Sequence, residues 1–138
     1  MDPEPSHVFD ACAVIAFLEG EPGAEVVEEL LQQQEGIRLL HTINALEVFY
    51  HTCRVAGEAR ARQLKTLFQR LGLTLESALP VALWEAAGSL KATWGRISLA
   101  DCVALALAIE MGATLVTSDH HEFDRIAQAG ICPIRFIR

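Results

Sequence analysis

The first 37 residues contain no lysine and no arginine. The run from Met1 to His7 has neither a basic stretch nor an apolar core, so no secretory leader is expected. Long hydrophobic runs are missing as well. The longest, Leu99 to Ile109, is broken by Asp101 and falls far short of a membrane span. The four cysteines, Cys12, Cys53, Cys102 and Cys132, stand far apart with no C-x-x-C pair, so neither a zinc site nor a nucleophilic thiol has support. Each lies in or beside apolar sequence, where a free thiol behaves as a small buried hydrophobe. A reduced, cytoplasmic setting without membrane contact is therefore expected. There are no repeats, low-complexity tracts or linkers. Positive charge is scarce too: 11 Lys+Arg against 18 Asp+Glu leaves −7. That balance argues against broad electrostatic capture of nucleic acid, which depends on basic side chains neutralising phosphates.

What is present is one domain's worth of chain, 138 residues with 51% hydrophobic and 21% charged side chains. A chain of this length buries enough surface to fold without disulfides or zinc, and residues 1–138 are expected to form a single domain. Charge is unevenly placed. Nine acids fall within residues 1–37, while the remaining residues hold all eleven bases and nine acids, 11 − 9 = +2. Arg54, Arg60, Arg62, Lys65 and Arg70 against Glu58 make a local +4. This stretch could guide RNA, receive an acidic protein segment, or simply be a solvated helix face.

Turn chemistry and periodicity divide the chain into alternating strands and helices. A short strand at His7–Asp10 leads into a helix over Ala11–Leu18, and Pro22-Gly23 precedes a second helix over Ala24–Gln34. Ile37–His41 reads as a strand, Thr42 as the N-cap of a helix from Ile43 to Val55, and Glu58–Leu71 as one further helix carrying most of the bases. Leu73–Leu75 suits a short strand, and Pro80 suits the first residue of a helix to Thr93. Ser98 caps a helix over Leu99–Met111 that Gly112 stops. A buried strand at Ala113–Thr117, a polar turn, a short helix at Phe123–Gln128 and a last strand at Pro133–Ile137 complete the chain. The alternation predicts an α/β fold with a mostly parallel central sheet covered by helices.

Four acids sit where acids are costly. Asp10 follows His-Val-Phe and precedes Ala-Cys-Ala-Val-Ile; Glu47 is the only charge in Ile-Asn-Ala-Leu-Glu-Val-Phe-Tyr. Asp101 is the only charge in Ser-Leu-Ala-Asp-Cys-Val-Ala-Leu-Ala-Leu, and Asp119 ends Ala-Thr-Leu-Val-Thr-Ser-Asp. Burying such carboxylates requires a proton, a base or a metal. Bases are scarce nearby in sequence, and hard Mg²⁺ or Mn²⁺ prefers carboxylate oxygens. Asp10 and Asp119 end predicted strands, and open parallel sheets place their sites beyond those ends. Capping offers another role: Ser98-x-x-Asp101 and Asp119-x-x-Glu122 resemble capping boxes, and Asp10 could cap the helix after it. Glu47 lies past the first turn of its helix, with Ile43 and Tyr50 on its own face and Leu46 beside it in sequence.

These residues resemble a PIN domain, and within that family the toxins of the VapC type. The resemblance covers essentially the whole chain. Asp-Ala-Cys-Ala-Val-Ile-Ala at 10–16 with Gly-Glu-Pro-Gly-Ala-Glu at 20–25 resembles its opening, and Ala-Leu-Glu-Val-Phe-Tyr at 45–50 its second motif. Ser-Leu-Ala-Asp-Cys-Val-Ala-Leu-Ala-Leu-Ala at 98–108 and Leu-Val-Thr-Ser-Asp at 115–119 resemble the third and fourth. The resemblance implies a Rossmann-like α/β/α sandwich and a Mg²⁺- or Mn²⁺-dependent endoribonuclease acting on an RNA substrate. It further implies a homodimer inhibited by a cognate antitoxin, with Asp10, Glu47, Asp101 and Asp119 as catalytic and metal-binding acids.

Two departures stand out. Cys12 replaces a common hydroxyl residue, which puts a secondary polar contact in doubt, and Glu122 stands where many members carry a further Asp, as accessory acid or helix cap. Thr117 and Ser118 could position a water, although Thr117 equally suits a strand; His120 and His121 fit an exposed pair in a polar turn. Apolar positions around Phe49, Tyr50 and Leu67 suit a dimer face. A haloacid-dehalogenase-type phosphatase needs a second acid where Cys12 stands, and a receiver domain needs paired acids near the first strand and a late lysine. The remaining alternative is a PIN-like module that binds RNA or protein without cutting it.

Overall fold

The computed structural model describes residues 5–138; the acidic opening residues Asp2 and Glu4 lie outside them. Five short strands form one sheet: β1 (Ser6–Phe9), β2 (Ile37–His41), β3 (Thr74–Glu76), β4 (Thr114–Thr117) and β5 (Ile134–Phe136). They lie in the order β3-β2-β1-β4-β5, and every pairing is parallel. Val8 stands opposite Leu39 of β2 and Leu115 of β4, and Val116 opposite Arg135 of β5. Parallel neighbours need crossovers, and helices supply them: α1 (Ala11–Glu19) and α2 (Ala24–Leu31) after β1, α3 (Thr42–Ala56), α4 (Glu58–Ala61) and α5 (Leu64–Arg70) after β2. Next come α6 (Val81–Trp94) and α7 (Leu99–Met111) after β3, and α8 (His120–Ala129) after β4.

Successive strand residues point to opposite faces, and the core divides accordingly. Val8, Leu39 and Leu115 pack with α7, Leu83 of α6 and Phe123 of α8 on one face. Their neighbours Phe9, Leu40 and Val116 pack with Val14, Val27, Val48 and Phe68 on the other. Both faces being covered explains why these strands are apolar without alternation. Helix α7 is buried at every position from Ala100 to Ala108; its alanines leave room for close approach, and being apolar all round is what an interior helix requires. Among the described residues no single helix is long and apolar enough to cross a membrane.

Several predicted boundaries move, each for a local reason. Helix α2 ends at Leu31, short of Gln34, because Arg38 captures the carbonyls of Gln33 and Glu35 at 2.6 and 3.3 Å. Gly36 then turns with φ +94, where a Cβ would lie 1.9 Å from the Pro5 carbonyl oxygen, leaving glycine as the residue that fits. The cap of α3 is His41 and not Thr42. The buried His41 ring accepts the Ile43 N–H at Nδ1, 3.1 Å, and donates from Nε2 to the Ala78 carbonyl, 2.8 Å, so one side chain caps the helix and ties down the loop after β3. The expected single helix over Glu58–Leu71 is two, α4 and α5, broken at Arg62 and Gln63. Pro80 is the residue before α6, not its first. Helix α8 starts at His120, so His120 and His121 lie in its first turn and not in a loop.

Candidate metal centre

The sheet order places the ends of β1 and β4 side by side, at the point where the chain stops winding toward β3 and begins winding toward β5. Loops leaving two such strands diverge to opposite faces and open a crevice beyond their carboxyl ends. Within two residues of these strand ends the chain opens α1 and α8, and two of the four candidate acids, Asp10 and Asp119, are the N-caps.

Asp10 is completely buried. Its backbone N–H donates to the Val116 carbonyl at 3.1 Å, continuing the β1–β4 ladder, while its carboxylate accepts the Ala13 N–H at 2.9 Å. Burial pushes Asp10 up to about 6 against the pull of the Thr117 hydroxyl, the Ala13 N–H and the Cys12 thiol; Asp119 adds to the rise. The thiol of Cys12 lies 3.1 and 3.2 Å from the two Asp10 oxygens, accepts the Ser118 N–H at 3.4 Å and stands 3.4 Å from the Thr117 hydroxyl. The secondary polar contact thrown into doubt by a cysteine at this position is therefore present, made by sulfur. Burial and the Asp10 charge push this thiol up to about 12, so it remains a protonated donor.

Asp119 accepts the Glu122 N–H at 3.0 Å and donates its own N–H to the Thr117 hydroxyl at 3.0 Å. Asp101, in the first turn of α7, is 9% exposed, and its N–H is held by the Ser98 hydroxyl at 3.1 Å. The capping arrangements expected at Ser98 and Asp119 thus both form. They do not compete with convergence, because a cap fixes the backbone and leaves carboxylate lone pairs free. One ligand oxygen each from Asp101, Asp119 and Glu122 lie within 4.8 Å of one another. Glu122 accepts the Ser98 N–H at 3.1 Å through one oxygen, and its other oxygen is buried with no partner.

Asp10 and Glu47 lie near enough to this trio to act on it through their charge. Asp101 is driven strongly upward by burial, then by the neighbouring Glu122 carboxylate, and further by the charges of Asp10 and Glu47. Glu47, projecting from the second turn of α3, is raised by burial and by Glu122. It is more open than its neighbours in sequence suggested, since Leu46 and Tyr50 on the same helix are exposed. Among the described residues, none of these five carboxylates forms an ion pair with Lys, Arg or His. A group of hard oxygen donors that repel one another, one with an orphaned buried oxygen, fits a hard divalent cation.

Glu122, which the sequence leaves open between accessory acid and helix cap, reaches back with its side chain to the start of α7. The sequence motifs miss one residue of the site. Asn44, one turn before Glu47, is fully buried and bridges to the Ala100 carbonyl at 3.5 Å, tying α3 to α7. A polar residue within an apolar helix face was the available signal.

The fold and this cluster define a class: an α/β sandwich whose parallel sheet presents a carboxylate-rich crevice at its switch point. The chain belongs to the PIN domain family, a family of hydrolases acting on nucleic acids, which it matches over residues 7–129. No curated protein matches the chain. Among solved structures it is similar to a toxin–antitoxin complex from Klebsiella pneumoniae, at 20% identity and TM-score 0.70, covering 96% of this chain and 98% of that one. It is also similar to VapBC2 from Rickettsia felis bound to a promoter DNA fragment, at 18% and 0.70, covering 95% and 98%. VapBC-1 from nontypeable Haemophilus influenzae gives 18% and 0.69, covering 96% and 98%. At such identities the likeness is one of fold.

Proposed function

We propose that the whole chain is one PIN domain acting as the toxin of a toxin–antitoxin pair, a Mg²⁺- or Mn²⁺-dependent endoribonuclease that hydrolyses RNA phosphodiester bonds. The observation that carries this reading is the meeting of Asp101, Asp119 and Glu122, with Asp10 and Glu47 near enough to raise Asp101, and no ion pair from these acids to Lys, Arg or His among the described residues. Asp10, Asp101 and Asp119 would be the principal ligands, with Glu47 a ligand or the acid that orients water and Glu122 the accessory acid. A divalent ion bound there supplies charge to the scissile phosphate and acidifies the attacking water.

The chain's own groups do the positioning. The Ala13 N–H and Cys12 thiol hold the Asp10 carboxylate in place, the Ser98 hydroxyl holds the turn that presents Asp101, and the Ser98 N–H anchors Glu122. Glu47, exposed at the rim, would be the acid that orients the entering water if it is not itself a ligand. The solved structures of similar fold are toxin–antitoxin complexes, which supports a cognate antitoxin as partner. Exposed Leu46 and Tyr50 on α3 suit the apolar face of a homodimer. Four free cysteines agree with a reducing cytoplasm.

The test is Asp10→Asn, which keeps the cap acceptor and removes the charge. Metal-dependent cleavage of RNA should fall at least ~100-fold while the circular dichroism spectrum is unchanged. Full activity in this variant would overturn the reading. Absence of Mg²⁺ or Mn²⁺ uptake by calorimetry in the wild type would instead favour a binding-only module.

A further inference from the structure

The break between α4 and α5 creates a feature unconnected to the acidic cluster. Arg60 at the end of α4, Arg62 in the break and Arg70 at the end of α5 line one concave cavity of about 530 Å³, together with Gln63 and Thr66, over a leucine floor. All three arginines are exposed. Arg62 is paired with Glu58, one turn away on the surface. Arg60 and Arg70 form no ion pair among the described residues. This concentration of positive charge sits in a chain of net charge −7. Self-repulsion among three guanidinium groups is tolerable in water, and it is relieved by a ligand carrying several negative charges.

We infer that this cavity is an RNA-backbone site, a place where phosphates of the substrate dock outside the acidic cluster. The inference rests on the nuclease reading for its substrate. Its chemistry favours phosphate over a protein segment: guanidinium forks, an amide and a hydroxyl all supply donors suited to phosphate oxygens. An amphipathic protein segment would instead require a mostly apolar lining. Such a lining exists in the neighbouring groove between α3 and α5, where Ala45, Phe49 and Phe68 face Leu75. The position suits a polymer. Helix α3 carries Glu47 in its second turn and ends at Ala56 just before the cavity, ~14 Å further along at 1.5 Å per residue. A strand contacting both places therefore spans several nucleotides, so the cavity would aid long substrates and leave very short ones unaffected.

The experiment measures binding of a fluorescent single-stranded 20-mer RNA to the full chain in EDTA, across a salt series. In the double variant Arg60→Ala/Arg70→Ala affinity should fall about tenfold, and the slope of log K against log salt should flatten by about 1.4, at ~0.7 per lost phosphate contact. Arg60→Lys/Arg70→Lys should recover the slope. In Mg²⁺ or Mn²⁺, KM for the 20-mer should rise while kcat, and cleavage of a trinucleotide, remain unchanged. Unaltered affinity and slope in a folded alanine variant would overturn the inference. So would loss of poly-glutamate binding with RNA binding retained, which would assign the cavity to an acidic protein segment. A wild type that binds RNA through these arginines but never cleaves it would uphold the site and refute the nuclease reading.

Discussion

Cys12 shows how far chemistry at one atom depends on its neighbours. A thiol is a weak donor, yet this one faces both oxygens of a buried carboxylate and is backed by a peptide N–H. Removing it leaves Asp10 with fewer donors and a greater desolvation burden, so Cys12→Ala should weaken Mn²⁺ binding roughly tenfold by calorimetry, while Cys12→Ser, which keeps a donor, should retain affinity. Because the thiol titrates only near about 12, its alkylation by iodoacetamide at pH 8 should be far slower than that of an ordinary thiol. The sequence singles out Asp10 and Cys12, and from it Cys12 looks like a missing contact. Only the packing of the Thr117-Ser118 segment against it revealed the donor role, since those residues lie more than a hundred positions away.

At the scale of the element, the helix starts carry the site. Ser98 and Asp119 were legible because caps are local: a short polar side chain, a fixed spacing and an N–H to satisfy. Ser98 bears a double load. Its hydroxyl holds the Asp101 N–H, and its own N–H holds Glu122. Ser98→Ala should cost ~1 kcal/mol of stability, seen as a fall in Tm of roughly 3–5 °C, with Ser98→Thr close to wild type. The start of α3 is misassigned because its cap has a tertiary partner. His41 displaces Thr42 because its ring also reaches Ala78, a bond no local rule anticipates. The α4–α5 break is likewise unmarked by glycine or proline, and with it the arginine cavity was invisible in a sequence that read as one basic helix.

For the whole molecule, the acidity of the chain is in part the acidity of its site. Carboxylates at one crevice repel one another, and folding raises the proton affinity of three of them. Asp10 moves from 3.8 up to about 6, and Asp101 and Glu47 move in the same direction. A folded-state value above the unfolded one means the stabilisation is complete below pH ~4 and lost as pH rises through about 6. From Asp10 alone the loss over that window is ~3 kcal/mol. In EDTA the urea midpoint should therefore fall between pH 4 and pH 7.5, and saturating Mn²⁺ should restore it at pH 7.5, because metal binds the deprotonated acids. An EDTA midpoint that rises over this range would contradict the electrostatic account. The charge of −7 thus speaks less against nucleic acid than its sum suggests, since part of it is gathered in one crevice and the bases are gathered elsewhere.

The sequence by itself determined the elements and the chemistry: alternation set strands against helices, caps marked helix starts, and acids among apolar neighbours announced an unmet electrostatic demand. Those signals are local, carried by spacings of two to four residues, and a reader of the chain can see them. Tertiary structure alone decided the strand order that sets β1 beside β4, the approach of Glu122 to Asp101 and Asp119, and the folding of one basic helix into two around a cavity. These depend on contacts between residues far apart in the chain, selected by how two apolar faces of one sheet are covered, and no short-range pattern encodes that selection.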